Sequence, residues 1–116
     1  MRLLEIAARI AAGGDQKRNY RLASVIQRRD GALVSSNNAL TKEPQPAAHA
    51  EARSLRKADT GCTLYVARVL RDGTWASAKP CPRCQALIRA KGVKRVYYTI
   101  APKEWGVWDV GKMKAP

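Results

Sequence analysis

The sequence predicts an α/β domain in which helices pack on a mixed sheet. Three observations point there. Residues 2–12 repeat apolar side chains at helical spacing, and the runs 20–28, 32–36, 63–70 and 93–100 alternate or are rich in β-branched and aromatic residues. Helical segments alternate with the later strands, giving an order α-β-β-α-β-α-β whose economical solution is a sheet covered by helices.

The first helix carries Leu3, Ile6, Ala7 and Ile10 on one stripe and stops at Gly13-Gly14. Strand 20–28 and its return strand 32–36 are joined by Arg29-Asp30-Gly31, because Asp-Gly supplies the positive φ that a tight turn needs. Pro44 and Pro46 rule out regular structure over 41–47, and a second helix is expected over about 48–58. Residues 63–70 read as a central strand closed by the turn Asp72-Gly73. Pro80 and Pro82 bracket Cys81, and a third helix is expected from there to about Lys91, where Gly92 stops it; 93–100 is a further strand. Too few residues follow for another helix and a parallel strand, so a hairpin pairing 96–100 with about 105–110 is predicted.

The chain of 116 residues is long enough for one core and is read as a single domain, 1–116. Its 46% hydrophobic content is that of a globular fold. No apolar run is long enough to span a membrane, and 3–10 lacks the features of a secretory signal, so a cytoplasmic protein with no membrane partner is expected. Lys and Arg number 22 against nine Asp and Glu, a net charge of +13. A balance of that size attracts polyanions. The competing reading, a merely solvated basic surface, is opposed by the spread of cations over every element.

Cys81-Pro82-Arg83-Cys84 places two thiols on one face of a helix start, where free N–H groups and the dipole favour thiolate. A C-x-x-C pair alone fits a redox centre or half of a four-cysteine zinc site. No second such pair exists, and the motif stands too late in the chain for a thioredoxin-like frame. Cys62, beside a strand, reads as a small core residue rather than a third thiolate. The single histidine, His49, opens the second helix within His49-Ala50-Glu51. One His and two Cys leave the fourth zinc position open to water, as catalytic sites do.

His49-Ala50-Glu51 followed by Pro80-Cys81-Pro82-Arg83-Cys84 resembles the cytidine deaminase superfamily, whose signature is H-x-E…P-C-x-x-C. The resemblance covers roughly 20–100 and implies a three-layer fold with a mixed sheet of about five strands, flanked by helices and closed by a short C-terminal hairpin. It implies that His49, Cys81 and Cys84 hold Zn2+ and that Glu51 shuttles protons. It implies substrate contacts at Asn37 or Asn38, at the backbone of Ala50 and Cys81, and beside Pro80. His49 and Glu51 stand about 200° apart on an ideal helix, so they converge only at a helix mouth. Trp75 and either Trp105 or Trp108 are stacking candidates for a base, with core packing as the competing role.

The superfamily deaminates free nucleosides and nucleotides as well as bases in nucleic acid. The charge favours a polyanion, with Lys42, Arg53, Lys79 and Arg83 as backbone contacts beside the motifs. The expected reaction is cytosine to uracil in single-stranded DNA or RNA. Free cytidine, deoxycytidine or deoxycytidylate is the alternative. The predicted hairpin ending resembles nucleoside and toxin-type deaminases and counts against adenosine in tRNA. A non-catalytic zinc module that binds nucleic acid would have no use for Glu51.

Overall fold

The computed structural model describes residues 2–12, 21–37, 60–70, 72–80 and 82–112. Its elements are α1 (Arg2–Ala12), β1 (Arg21–Gln27), β2 (Leu33–Asn37), β3 (Thr63–Val69), β4 (Trp75–Ala76), α2 (Pro82–Ala90), β5 (Arg95–Ala101) and β6 (Glu104–Asp109). The strands form one six-stranded sheet in the order β2-β1-β3-β5-β6, with β4 paired to β3 off that path. Among the described strands only β3 and β5 pair in parallel, as the crossover through α2 requires. The helix expected over 48–58 lies outside the described residues.

Two apolar clusters make the layers. Leu22, Ile26, Leu64, Val66, Val96 and Trp108 meet Ile88 of α2 on one face. Ala23, Val25, Tyr65, Ala67 and Val69 meet α1 on the other. β3 is buried on both faces at its centre, which explains its continuous apolar run. The buried stripe of α1 is Leu4, Ala7, Ala8 and Ala11, so the expected stripe is corrected in phase. Small alanines let the helix axis approach β1 and β3 closely, while Leu3, Ile6 and Ile10 pack at the margins.

The turns follow their sequence chemistry. Arg28 N–H donates to Ala32 C=O at 2.9 Å, and Gly31 takes φ 89°. Asp72 accepts the Thr74 N–H at 2.9 Å. Hydrogen bonds from Thr74 hold the Asp72 carboxyl below its ordinary value, so its contribution is present at neutral pH and lost as pH falls through that lowered value. α2 ends in a Schellman motif: Val93 N–H reaches Ile88 C=O at 3.3 Å and Gly92 N–H reaches Arg89 C=O at 3.1 Å. Gly92 adopts φ 74° there, which is why the sequence stop falls on a glycine. The predicted C-terminal hairpin is present, with Val96 opposite Trp108 and Thr99 opposite Trp105.

β4 is the strand that periodicity could not show, because two residues have no pattern. β3 and β5 pair only from Thr63 to Val66, then part, and β4 enters beside Arg68 and Val69. Thr99, 0% exposed, bridges the parting: its hydroxyl accepts Arg68 N–H at 3.1 Å and donates to Ala76 C=O at 2.7 Å. Its carbonyl also accepts Ala78 N–H at 2.9 Å, fixing the segment that leads to α2. Thr99→Val keeps the shape and strands both backbone groups, so urea unfolding should show a loss of about 2–4 kcal/mol. A stability equal to that of the parent would mean that the bridge carries nothing.

Candidate functional site

β2, β3 and β5 run in one direction, since β1 is antiparallel to both β2 and β3 while β3 and β5 are parallel. Their C-terminal ends therefore gather at one end of the sheet. Asn37 closes β2 at this end, opposite Ala23, which in turn faces Ala67 of β3. The segment running from Thr99-anchored Ala78 through Pro80 delivers the N-terminus of α2 to the same end. In α/β sheets this is where ligands bind, outside the carboxyl ends of strands that part.

Pro82 begins α2, where its missing N–H leaves no bond unmade. Cys84 follows in the first turn and is 0% exposed. The positive end of the helix dipole there favours a thiolate and acts against the cost that burial puts on one. Pro80 is also buried, and Gln85 Nε2 donates to its carbonyl at 2.9 Å. That bond ties the turn before the helix to the helix itself. Gln85 is not among the residues the motif singles out; its signal in the sequence is an amide side chain early in a helix, able to reach back over the first turn.

The other cysteine described, Cys62, sits in the core cluster of the α2 face. Its carbonyl accepts Lys94 N–H at 2.9 Å, next to the C-terminal end of α2. Cys84 stands in the first turn of that helix, so Cys62 lies at the opposite end of the domain from it. The core reading of Cys62 holds.

Lys79 is exposed beside Pro80. Trp75 is half-buried in β4 and packs with the α1 layer, while Trp108 is buried in the α2 layer beneath Arg89. Trp105 remains 42% exposed on the edge strand β6, its ring edge-on to Tyr97 at 5.7 Å. His49, Ala50, Glu51, Cys81, Asn38, Lys42 and Arg53 lie outside the described residues, and of Asn37 and Arg83 only the backbone is described. Among the described residues no helix is long and apolar enough to cross a membrane.

A model of the family described as "Cytidine and deoxycytidylate deaminase zinc-binding region" matches residues 1–100. The chain belongs to that family. Membership in this deaminase family implies Zn2+ as the cofactor. Among solved structures, the fold of this family member is similar to a cytidine deaminase from Mycobacterium leprae, with TM-score 0.67 and 20% identity over 95% of this chain and 92% of that one. It is also similar to a cytidine deaminase from Mycobacterium tuberculosis, with TM-score 0.54 and 18% identity over 85% of this chain and 86% of that one. No curated protein matches the chain.

The donor chemistry at the start of α2 fits the metal. A buried thiol in the first helical turn, held in a turn that Gln85 fastens, is the kind of soft ligand that zinc takes.

Proposed function

We propose that this deaminase-family chain hydrolyses cytosine to uracil in single-stranded nucleic acid, releasing ammonia. The observation that carries the chemistry is the burial of Cys84 in the first turn of α2, at the end of the sheet where β3 and β5 part. The substrate class is supported by the net charge of +13.

In this reading His49, Cys81 and Cys84 hold the zinc. Zinc bound there supplies a Lewis acid that makes water acidic enough to serve as a nucleophile near neutral pH. Glu51 takes a proton from the attacking water and delivers one to the ring nitrogen. Glu51 then takes the second proton from the hydroxyl now bonded to the ring carbon and passes it to the amine; the carbon–nitrogen bond breaks, the carbonyl forms and ammonia leaves. Asn37, Asn38, the backbone of Ala50 and the turn at Pro80 orient the sugar and base. Lys42, Arg53, Lys79 and Arg83 hold flanking phosphates. Gln85 supports the turn at Pro80 from behind.

A second reading, a free nucleoside or nucleotide such as cytidine or deoxycytidylate, is favoured by the β5–β6 hairpin and by the likeness in fold to the two mycobacterial cytidine deaminases. The two readings separate on salt. Uracil formation from a cytosine-bearing single strand should fall steeply between low and moderate salt, because phosphate contacts release counterions. Activity on cytidine that exceeds activity on the strand, and that ignores salt, would favour the nucleoside.

A further inference from the structure

Several described cations gather at one end of the sheet. One transverse row runs Leu33, Gln27, Thr63, Arg95, Asp109 across β2, β1, β3, β5 and β6. The segments that leave this row are tied together beyond it. Gly61 N–H donates to Gly92 C=O at 2.7 Å, Lys94 N–H to Cys62 C=O at 2.9 Å, and Val110 N–H to Lys94 C=O at 3.2 Å. The Arg29 side chain lies over this seam, since a Cβ on Gly61 would stand 2.9 Å from its Cδ.

These bonds bring Arg89, Lys91, Lys94 and Lys112, all exposed, to one end of the domain. The described carboxylates at this end are engaged by arginines of their own: Asp30 by Arg28 at 3.8 Å and Asp109 by Arg95 at 3.7 Å. Among the described residues no carboxylate pairs with the four exposed cations. Arg89 is oriented over the Trp108 ring, 5.3 Å from its centroid. The dipole of α2 accounts for a cation at Arg89 or Lys91. It does not account for Lys94 or Lys112, which belong to the segments before β5 and after β6.

We infer that this basic end is an anchoring surface for the sugar-phosphate backbone of a single-stranded nucleic acid, separate from the catalytic end. The inference rests on the nucleic-acid reading and adds a length requirement to it. α2 connects the two ends, with Cys84 and Lys91 about 10 Å apart along its axis. A strand whose cytosine lies at the start of α2 reaches the basic end a few nucleotides away, whereas a free nucleoside does not. The surface therefore favours polymers over monomers without reading their sequence.

The test uses the zinc-loaded full chain, a Lys91→Ala/Lys94→Ala/Lys112→Ala variant, and the matching triple Lys→Arg variant. The probe is a labelled oligothymidylate, which has no cytosine to be turned over, followed by anisotropy across a salt series. The alanine variant should bind roughly tenfold to a hundredfold more weakly near ~0.1 M salt, with a log–log salt slope shallower by about 2. The arginine variant should bind like the parent. On cytosine-bearing strands, the preference of kcat/KM for long over short should shrink towards one in the alanine variant.

Equal affinity and slope in the alanine variant, with the parent still deaminating strands, would overturn the anchoring surface and leave the nucleic-acid reading standing. So would equal loss in the arginine variant, because charge would then not be the cause. A parent that deaminates cytidine but neither binds nor deaminates strands would remove the nucleic-acid reading and this surface together. Phosphatidylserine vesicles bound as tightly as the oligothymidylate would overturn the assignment to nucleic acid.

Discussion

Glu51→Gln is expected to lower kcat for cytosine deamination by about a hundredfold to ten-thousandfold, with zinc still bound. The amide keeps the size of the side chain and much of its hydrogen bonding but cannot accept and return a proton. The proposed role has two proton transfers on one carboxylate, to the ring nitrogen and to the leaving amine, so both fail together. Uracil formation and metal content measured on the same sample separate this from loss of the site. A variant that retains the parent's rate would remove Glu51 from the mechanism. A parent that binds zinc and nucleic acid without turnover would point to the non-catalytic module, for which Glu51 is dispensable.

Cys84→Ala carries the second large effect. Cys84 is fully buried in the first turn of α2, and in the proposed reading its loss removes a zinc ligand. Metal content should fall well below one zinc per chain, and activity with it. Because zinc binds the folded chain preferentially, it should raise the parent's stability by about 4 kcal/mol at a thousandfold excess over its Kd. The variant should lose that zinc-dependent rise. Cys62→Ala is the paired control: it deletes a core sulfur and should cost on the order of 1 kcal/mol while zinc stays bound. Zinc loss in the Cys62 variant instead would mean that the ligand set is misassigned.

The sequence was most informative where chemistry or backbone geometry demands particular residues. Asp72-Gly73, Gly31 and Gly92 announced their turns because positive φ admits few other residues, and the structure has a tight turn at each. The Pro80 to Cys84 motif announced the start of α2 because a proline at the first helical position loses no hydrogen bond there. The period of α1 was legible but its phase was not. Hydrophobic size drew attention to Leu3, Ile6 and Ile10, while close docking on a sheet selects the alanines Ala7, Ala8 and Ala11.

What the sequence left hidden was produced by contacts between distant segments. β4 exists because Thr99 bridges Arg68 and Ala76, two residues that no local pattern joins to it. The basic end is likewise invisible in one dimension. Arg89, Lys94 and Lys112 come together only through the pairing of β3, β5 and β6 and the bonds at Gly61, Cys62 and Val110. In sequence alone the cations that stand out as phosphate contacts are those beside the motifs, Lys42, Arg53, Lys79 and Arg83, and none at the opposite end.

The most direct test of the account is ammonia and uracil release measured together on cytidine, deoxycytidylate and cytosine-bearing single strands, before chelation, after it, and after zinc is restored. The account predicts one ammonia per uracil, loss of both on chelation, recovery of both with zinc, and the highest kcat/KM on the strands at low salt. Protein that holds one zinc per chain and releases neither product from any of these substrates would contradict it.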